Sequence, residues 1–215
     1  MSADEPALEE IAVAAEPTAW RDAGFRIRGD ATAAVDVGTV AIDLVGAGAG
    51  KRVVRCGLSG IGDANLDGLP IARSEPRARV EPAPAHPNGV VRIDHLVAFT
   101  PDLDRTVAAG TALGLDLRRI RDEPAPAGSP RQAFFRIGEP ILEVAQAPPG
   151  SPLAGHGPAR FDGLAFVVED LDATVASLGE LCGKPRDAVQ PGRRIATARK
   201  EAKLGLPVAF MTPRP

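Results

Sequence analysis

The sequence predicts an α+β fold built from two βαβββ modules, with a partial third module ahead of them at the N-terminus. Three observations predict it. The stretch Arg92-Ile-Asp-His-Leu-Val-Ala-Phe-Thr-Pro-Asp-Leu-Asp-Arg-Thr-Val107 recurs 68 positions later as Arg160-Phe-Asp-Gly-Leu-Ala-Phe-Val-Val-Glu-Asp-Leu-Asp-Ala-Thr-Val175. In both copies a strand-like run passes into a segment of helical period. A turn-and-strand signature then closes each copy, because Ile137-Gly-Glu-Pro-Ile-Leu-Glu143 matches Leu204-Gly-Leu-Pro-Val-Ala-Phe210, and both match Val37-Gly-Thr-Val-Ala-Ile-Asp43.

Taken in order, residues 1–60 read as the partial unit. A helix is expected around Ala7–Ala23, interrupted at Pro17, followed by strands near Phe25–Arg28, Thr32–Val37 and Thr39–Val45. This unit lacks a leading strand of its own. Arg52–Ser59 is a further strand, opening a unit that the next segment interrupts. Residues 61–89 carry Asp-Gly, Glu-Pro, Ala-Pro and His-Pro-Asn-Gly punctuation without an apolar period, which marks a linker or a surface-hugging loop. Residues 90–149 form the first full module. Val90–Thr100 is its strand, Thr100 caps the helix with Pro101 at the first position, and Asp102 and Asp104 lie in the first turn. Leu103, Val107 and Gly110 mark the buried face, and strands follow at Leu115–Arg121, Gln132–Ile137 and Pro140–Ala147. Residues 150–215 form the second module. Its helix carries Leu171, Val175, Leu178 and Cys182; glycines at 114 and 183 stop the two helices, and a last strand covers Leu206–Thr212 beyond the polar, Arg-rich Pro185–Lys203.

With 215 residues the chain can bury roughly 70% of its unfolded surface. Its 25 basic and 28 acidic side chains give a net charge of -3, with no basic field for a polyanion, so nucleic acid is excluded as a partner. The acidic start MSADEPALEE and the lack of any long apolar run predict a soluble, cytoplasmic protein with no membrane partner. Cys56 and Cys182 lack the spacing of a disulfide framework or a zinc ribbon.

Along the first strand of the first module Ile93, His95, Val97 and Phe99 share one face, while Asp94, Leu96 and Ala98 share the other. A titratable group on an apolar strand face needs a partner. Glu143, near the end of the same module, is the other anomaly. If first and last strands line one cleft, imidazole nitrogen and carboxylate oxygen could converge there on a divalent metal or, in the structural alternative, on each other. Gln132, Phe134 and Arg136 alternate along a strand and are candidates to line that cleft. Arg193 and Arg194 are candidates to clamp an anionic ligand, or else belong to a solvated loop. The glycines at 46, 48 and 50 lack the strand-to-helix context of a phosphate loop.

A strand with Asp-His-Leu, a Pro-Asp-Leu-Asp helix start and a strand of the form Ile-Leu-Glu-Val resemble the vicinal oxygen chelate superfamily. That group includes glyoxalases, extradiol dioxygenases, bleomycin-resistance proteins and fosfomycin-resistance proteins. The resemblance spans Val90 to Met211 and implies paired modules forming a U-shaped mixed sheet around the site. It implies metal ligands at first-strand and last-strand positions, here His95 and Glu143, both also candidate catalytic residues. Gly163 and Phe210 hold the corresponding positions of the second module and cannot bind metal. Asp43, at the last-strand position of the partial copy, is the candidate third ligand; His156 and His86 are less constrained alternatives.

The resemblance thus implies a glyoxalase- or dioxygenase-like enzyme, a lyase or dioxygenase, in which a divalent metal (Zn, Fe, Mn or Ni) chelates vicinal oxygens of a small-molecule substrate. The alternatives are a metal-free binding protein of the bleomycin-resistance type and a degenerate scaffold whose sheet serves homodimer formation.

Overall fold

The computed structural model describes residues 5–29, 33–62, 65–78, 85–122, 131–148, 150–151 and 154–214. Its N-terminal half contains β1 (Ala7–Val13), α1 (Pro17–Asp22), β2 (Ala34–Val37), β3 (Val40–Leu44), β4 (Val53–Ser59) and β5 (Ile71–Arg73). They form a mixed sheet of order β2-β3-β1-β4-β5. Residues 7–13 are therefore a leading strand, not the helix expected there. Ala and Glu favour a helix, but β1 is paired on both sides, parallel to β3 and antiparallel to β4, with Leu8, Ile11 and Val13 buried; tertiary pairing overrides propensity. Pro17 opens the helix at its first turn instead of breaking it. An isolated bridge between Arg28 and Ala34 is what remains of the strand expected at Phe25–Arg28.

The C-terminal half contains β6 (Val90–Thr100), α2 (Leu103–Ala112), β7 (Asp116–Arg121), β8 (Gln132–Arg136) and β9 (Ile141–Gln146), then β10 (Arg160–Val168), α3 (Leu171–Leu178), β11 (Arg186–Asp187), β12 (Arg194–Thr197) and β13 (Val208–Met211). These are two βαβββ modules in one open sheet of order β11-β12-β13-β10-β6-β9-β8-β7. The leading strands β6 and β10 meet antiparallel at its centre, and each runs parallel to the last strand of its own module. The closing signature makes the same turn three times. Gly38, Gly138 and Gly205 have φ of 61°, 83° and 79°, values that favour glycine.

The first of the two helices starts two residues later than expected. Asp102 is the N-cap of α2, accepting from the Arg105 amide at 3.0 Å, and Asp170 caps α3 in the same way. Thr100 is instead fully buried, and its hydroxyl bonds Asp67, as does that of Thr106. Asp67 also takes two hydrogen bonds from Arg105, at 2.7 and 3.0 Å. The stretch expected as a linker is thereby fastened to α2, with Leu66 and Leu69 buried, and it supplies β5 to the N-terminal sheet. The second helix ends at Gly179, earlier than the expected 183.

The two halves share a core. Trp20 is fully buried and donates to the Leu204 carbonyl at 3.2 Å; Phe25 packs against Phe166 and Phe210 at ring separations of 5.2 and 6.4 Å. Among the described residues no helix is long and apolar enough to cross a membrane.

Candidate active site

Strands β7 and β11 lie at opposite ends of the eight-strand order, yet residues of both line one cleft of about 590 Å³. The sheet therefore curls into a U, and the concave side is the candidate site. One wall comes from His95 on β6, Glu143 and Ile141 on β9, Gln132 and Phe134 on β8, and Arg119 and Arg121 on β7. The other comes from Arg193, Ile195, Met211 and the turn at residues 188–191.

His95 and Glu143 do meet here. The parallel pairing of β6 and β9 sets Val97 opposite Glu143, one pleat from His95, and leaves His95 Nε2 3.9 Å from Glu143 Oε2. Glu143 is further held by Gln132, whose amide nitrogen donates to Oε1 while its carbonyl oxygen accepts from Arg121. This orders an Arg121–Gln132–Glu143 chain and leaves Oε2 facing the imidazole.

Alternation alone places Asp94 on the face opposite His95, but a bulge changes this. Across β6 and β10, His95 pairs with Ala165 and Ile93 with Phe166, so Asp94 is an extra residue without a partner. Its carboxylate swings round to accept from His95 Nδ1 at 2.8 Å and from Arg193 Nη2 at 2.9 Å. Both Asp94 and Arg193 side chains are 1% exposed. Burial by itself would raise the Asp94 pKa, but the hydrogen bonds from His95 and Arg193 hold it below the ordinary carboxylate range. Arg193 also donates to the Thr212 carbonyl and to Gln190. The bulge left no mark in the sequence, so Asp94 was missed as the partner of His95. Arg193 is an internal strut rather than a ligand clamp, and Arg194 pairs with Asp172 on α3. Of the three alternating residues on β8, Gln132 and Phe134 line the cleft, while Arg136 is exposed and donates to the Gly138 carbonyl.

Phe210, at the last-strand position of the second module, does not line the cleft. It points into the core against Phe25 and Phe166, and the adjacent Met211 faces the cleft, since one residue along a strand reverses the face. Gly163 stands where β10 approaches the last strand closely; a Cβ there would meet the Pro207 carbonyl oxygen at 2.9 Å.

Asp43 lies in the other sheet, where it pairs with Arg55 at 3.3 Å; burial, and then Glu10, raise its pKa. His86 is a buried residue of the segment before β6. Nδ1 accepts from the Arg26 amide and Nε2 donates to the Asp36 carbonyl, which satisfies both nitrogens. His156 is exposed. Cys56 and Cys182 are free and buried, and burial pushes the Cys56 thiol up to about 12.

The profile of the Glyoxalase/Bleomycin resistance protein/Dioxygenase superfamily matches residues 92–202. The chain belongs to this superfamily. Among solved structures, this superfamily member is similar to the methylmalonyl-CoA epimerase of Mycobacterium tuberculosis, with 21% identity over 59% of this chain and 91% of that one, at a TM-score of 0.48. It is also similar to a methylmalonyl-CoA epimerase in complex with methylmalonyl-CoA and NH4+, with 22% identity over 57% of this chain and 94% of the other, at a TM-score of 0.46. A xylose isomerase-like TIM barrel/4-hydroxyphenylpyruvate dioxygenase fusion protein aligns over 96% of this chain and 49% of its own, with 12% identity and a TM-score of 0.61. That alignment takes in both sheets and shows a shared fold. None of the curated protein sequences matches.

Members of the superfamily typically use a divalent metal. His95 and Glu143 could contribute two donors, but among the described residues no group of three or more His, Cys, Asp and Glu side chains is placed to hold an ion. The remaining polar groups on the cleft walls are amides and guanidiniums. The residues present do not fit a tightly held resident dication.

Proposed function

We propose that this cleft is the site of a small-molecule enzyme that works by proton transfer, with His95 as the base and Glu143 beside it, and without a resident metal. The observation that supports the reading most directly is the Asp94–His95–Glu143 row. Asp94 accepts from Nδ1, which fixes the tautomer and leaves the Nε2 lone pair facing the cleft and Glu143. In a substrate bearing a C–H bond next to a carbonyl, Nε2 takes the proton and the C–H electron pair passes to the carbonyl oxygen. The charge on that oxygen develops among the cleft guanidiniums, and the imidazolium is flanked by two carboxylates. Return of the proton to that carbon, on either face, restores the carbonyl and completes an exchange or epimerisation in which no oxidant is consumed.

The test is solvent deuterium incorporation into a panel of 2-oxo and 2-hydroxy acids, followed by NMR in D2O with and without EDTA. At least one panel member should exchange at the same rate in both buffers, and His95→Gln and Glu143→Gln should each slow it by about 100-fold or more. Exchange lost in EDTA, together with stoichiometric metal in protein purified without chelator, would restore the metal-dependent reading. Binding without exchange in any panel member would replace the enzyme with a binding protein of the bleomycin-resistance kind.

A further inference from the structure

The cleft holds more positive charge than its own framework neutralises. Elsewhere Arg28, Arg52, Arg105, Arg131 and Arg194 each face a carboxylate. Within the cleft, and among the described residues, Glu143 is the only acidic side chain on the walls, while Arg119, Arg121, Arg186 and Arg214 all reach them. Arg121 bonds the neutral amide of Gln132 and its Nε is buried without a partner. Arg119 rests over the Phe134 ring, 5.3 Å from the centroid, a contact that spends none of its hydrogen bonds. Like charges gathered in a concave site repel one another, and the low-dielectric walls strengthen the field. A buried guanidinium nitrogen without an acceptor is also costly to keep.

The charge has a shape as well. Arg119 and Arg121 stand on β7 and Arg186 stands on β11, the two extreme strands of the sheet, so the curl of the U sets one cationic pole on each rim. Between the poles the floor is apolar, made by Phe134, Ile141, Ile195 and Met211. Resting on the reading of this cleft as a small-molecule site, we infer that its ligand is a small dicarboxylate. One carboxylate meets Arg119 and Arg121, the other meets Arg186 and Arg214, and the carbon chain lies on the apolar floor beside His95 and Glu143. A guanidinium fork suits a planar carboxylate, which makes guanidiniums on both rim strands a length gauge as well as a charge filter.

Isothermal titration of the whole protein with succinate, glutarate, butyrate and inorganic phosphate tests the inference. Succinate or glutarate should bind at least tenfold more tightly than butyrate. The paired variants Arg119→Ala with Arg121→Ala, and Arg186→Ala with Arg214→Ala, should each weaken that binding at least tenfold while the melting temperature stays within a few degrees. Binding is read by titration and proton transfer by deuterium exchange, so loss of dicarboxylate binding in the paired arginine variants and loss of exchange in His95→Gln are scored separately. Three results would overturn the inference: butyrate binding as well as the dicarboxylates, phosphate binding more tightly than both, or dicarboxylate binding that survives either paired variant.

Discussion

Replacing Arg193 with methionine should be among the most damaging single changes in the C-terminal half, although Arg193 is a cation on a surface-derived strand connection. Its side chain and that of Asp94 are both 1% exposed and 2.9 Å apart, and the guanidinium makes three further hydrogen bonds, two to the Thr212 carbonyl and one to Gln190. Methionine keeps most of the stem and its packing, so the loss isolates the charge. What remains is a buried carboxylate with one donor, His95, in place of two. Removing one partner of a buried pair costs about 3–5 kcal/mol. With a urea m-value of about 2–3 kcal/mol/M for a chain of this size, the midpoint should fall by roughly 1.5 M. Trp20 is the only tryptophan and is fully buried between the halves, so its fluorescence follows the transition. Adding Asp94→Asn removes the stranded charge while keeping an oxygen for His95 Nδ1, and should recover about half of the loss or more. The wild-type pair also carries a pH signature. The folded Asp94 pKa lies below its ordinary value, so the contribution is full above about pH 4 and is lost as the pH falls towards the folded value. A loss below about 1 kcal/mol in Arg193→Met, or no recovery with Asp94→Asn, would refute this account of the strut.

Two further outcomes check the fold around the site. Burial chiefly, and Arg26, lower the His86 pKa against the opposing pull of Asp36; below its ordinary value of about 6.5 the unfolded chain therefore takes a proton that the folded one resists. Stability should fall as pH drops below about 6.5 towards the folded value, and urea melts between pH 5 and 8 should show a flatter profile for His86→Gln. Gly205→Ala should cost about 2 kcal/mol or more, because φ is +79° and the new Cβ would sit 2.4 Å from the Ala14 carbonyl oxygen. Gly114→Ala, with φ of +89° and nothing within 4 Å, serves as the comparison in the same melts and should cost only about 1 kcal/mol.

The sequence was most legible where its signals were local and repeated. The duplicated strand and helix start placed β6 to its terminal residues, and the glycine signature found three equivalent turns across both sheets. Signals failed where pairing decided the matter. Ala7–Val13 carries helix-favouring residues and became a central strand because β3 and β4 flank it. At the site, His95 and Glu143 were visible as polar anomalies in apolar strands, and they do converge. Asp94 was assigned to the wrong face because one bulged residue shifts the alternation, a feature of the β6–β10 register that no single strand encodes. Phe210 was aligned through the turn signature, whereas the face it adopts is set by packing against Phe25. The arginines of the cleft are scattered over residues 119–214 and come together only when the sheet curls.

Asp43 shows what the repeat signature was detecting. In the C-terminal sheet Val97 pairs with Glu143 on one side and Gly163 on the other, while the next pleat pairs His95 with Ala165. In the N-terminal sheet Ala12 pairs with Asp43 on one side and Arg55 on the other, while Glu10 pairs with Gly57. By register, Glu10 and Asp43 are thus the counterparts of His95 and Glu143, and Arg55 is the counterpart of Gly163. The guanidinium of Arg55 bonds both Glu10 and Asp43 and bridges the two carboxylates from within. In the C-terminal sheet the same place holds a glycine, required there because the Pro207 carbonyl lies too close for a Cβ. The two sheets therefore carry one site layout with opposite outcomes: an internal cation occupies the N-terminal copy, and a missing side chain leaves the C-terminal copy open. Asp43 does hold the equivalent position, but equivalence by register put it at the centre of a second, internally bridged copy instead of beside His95.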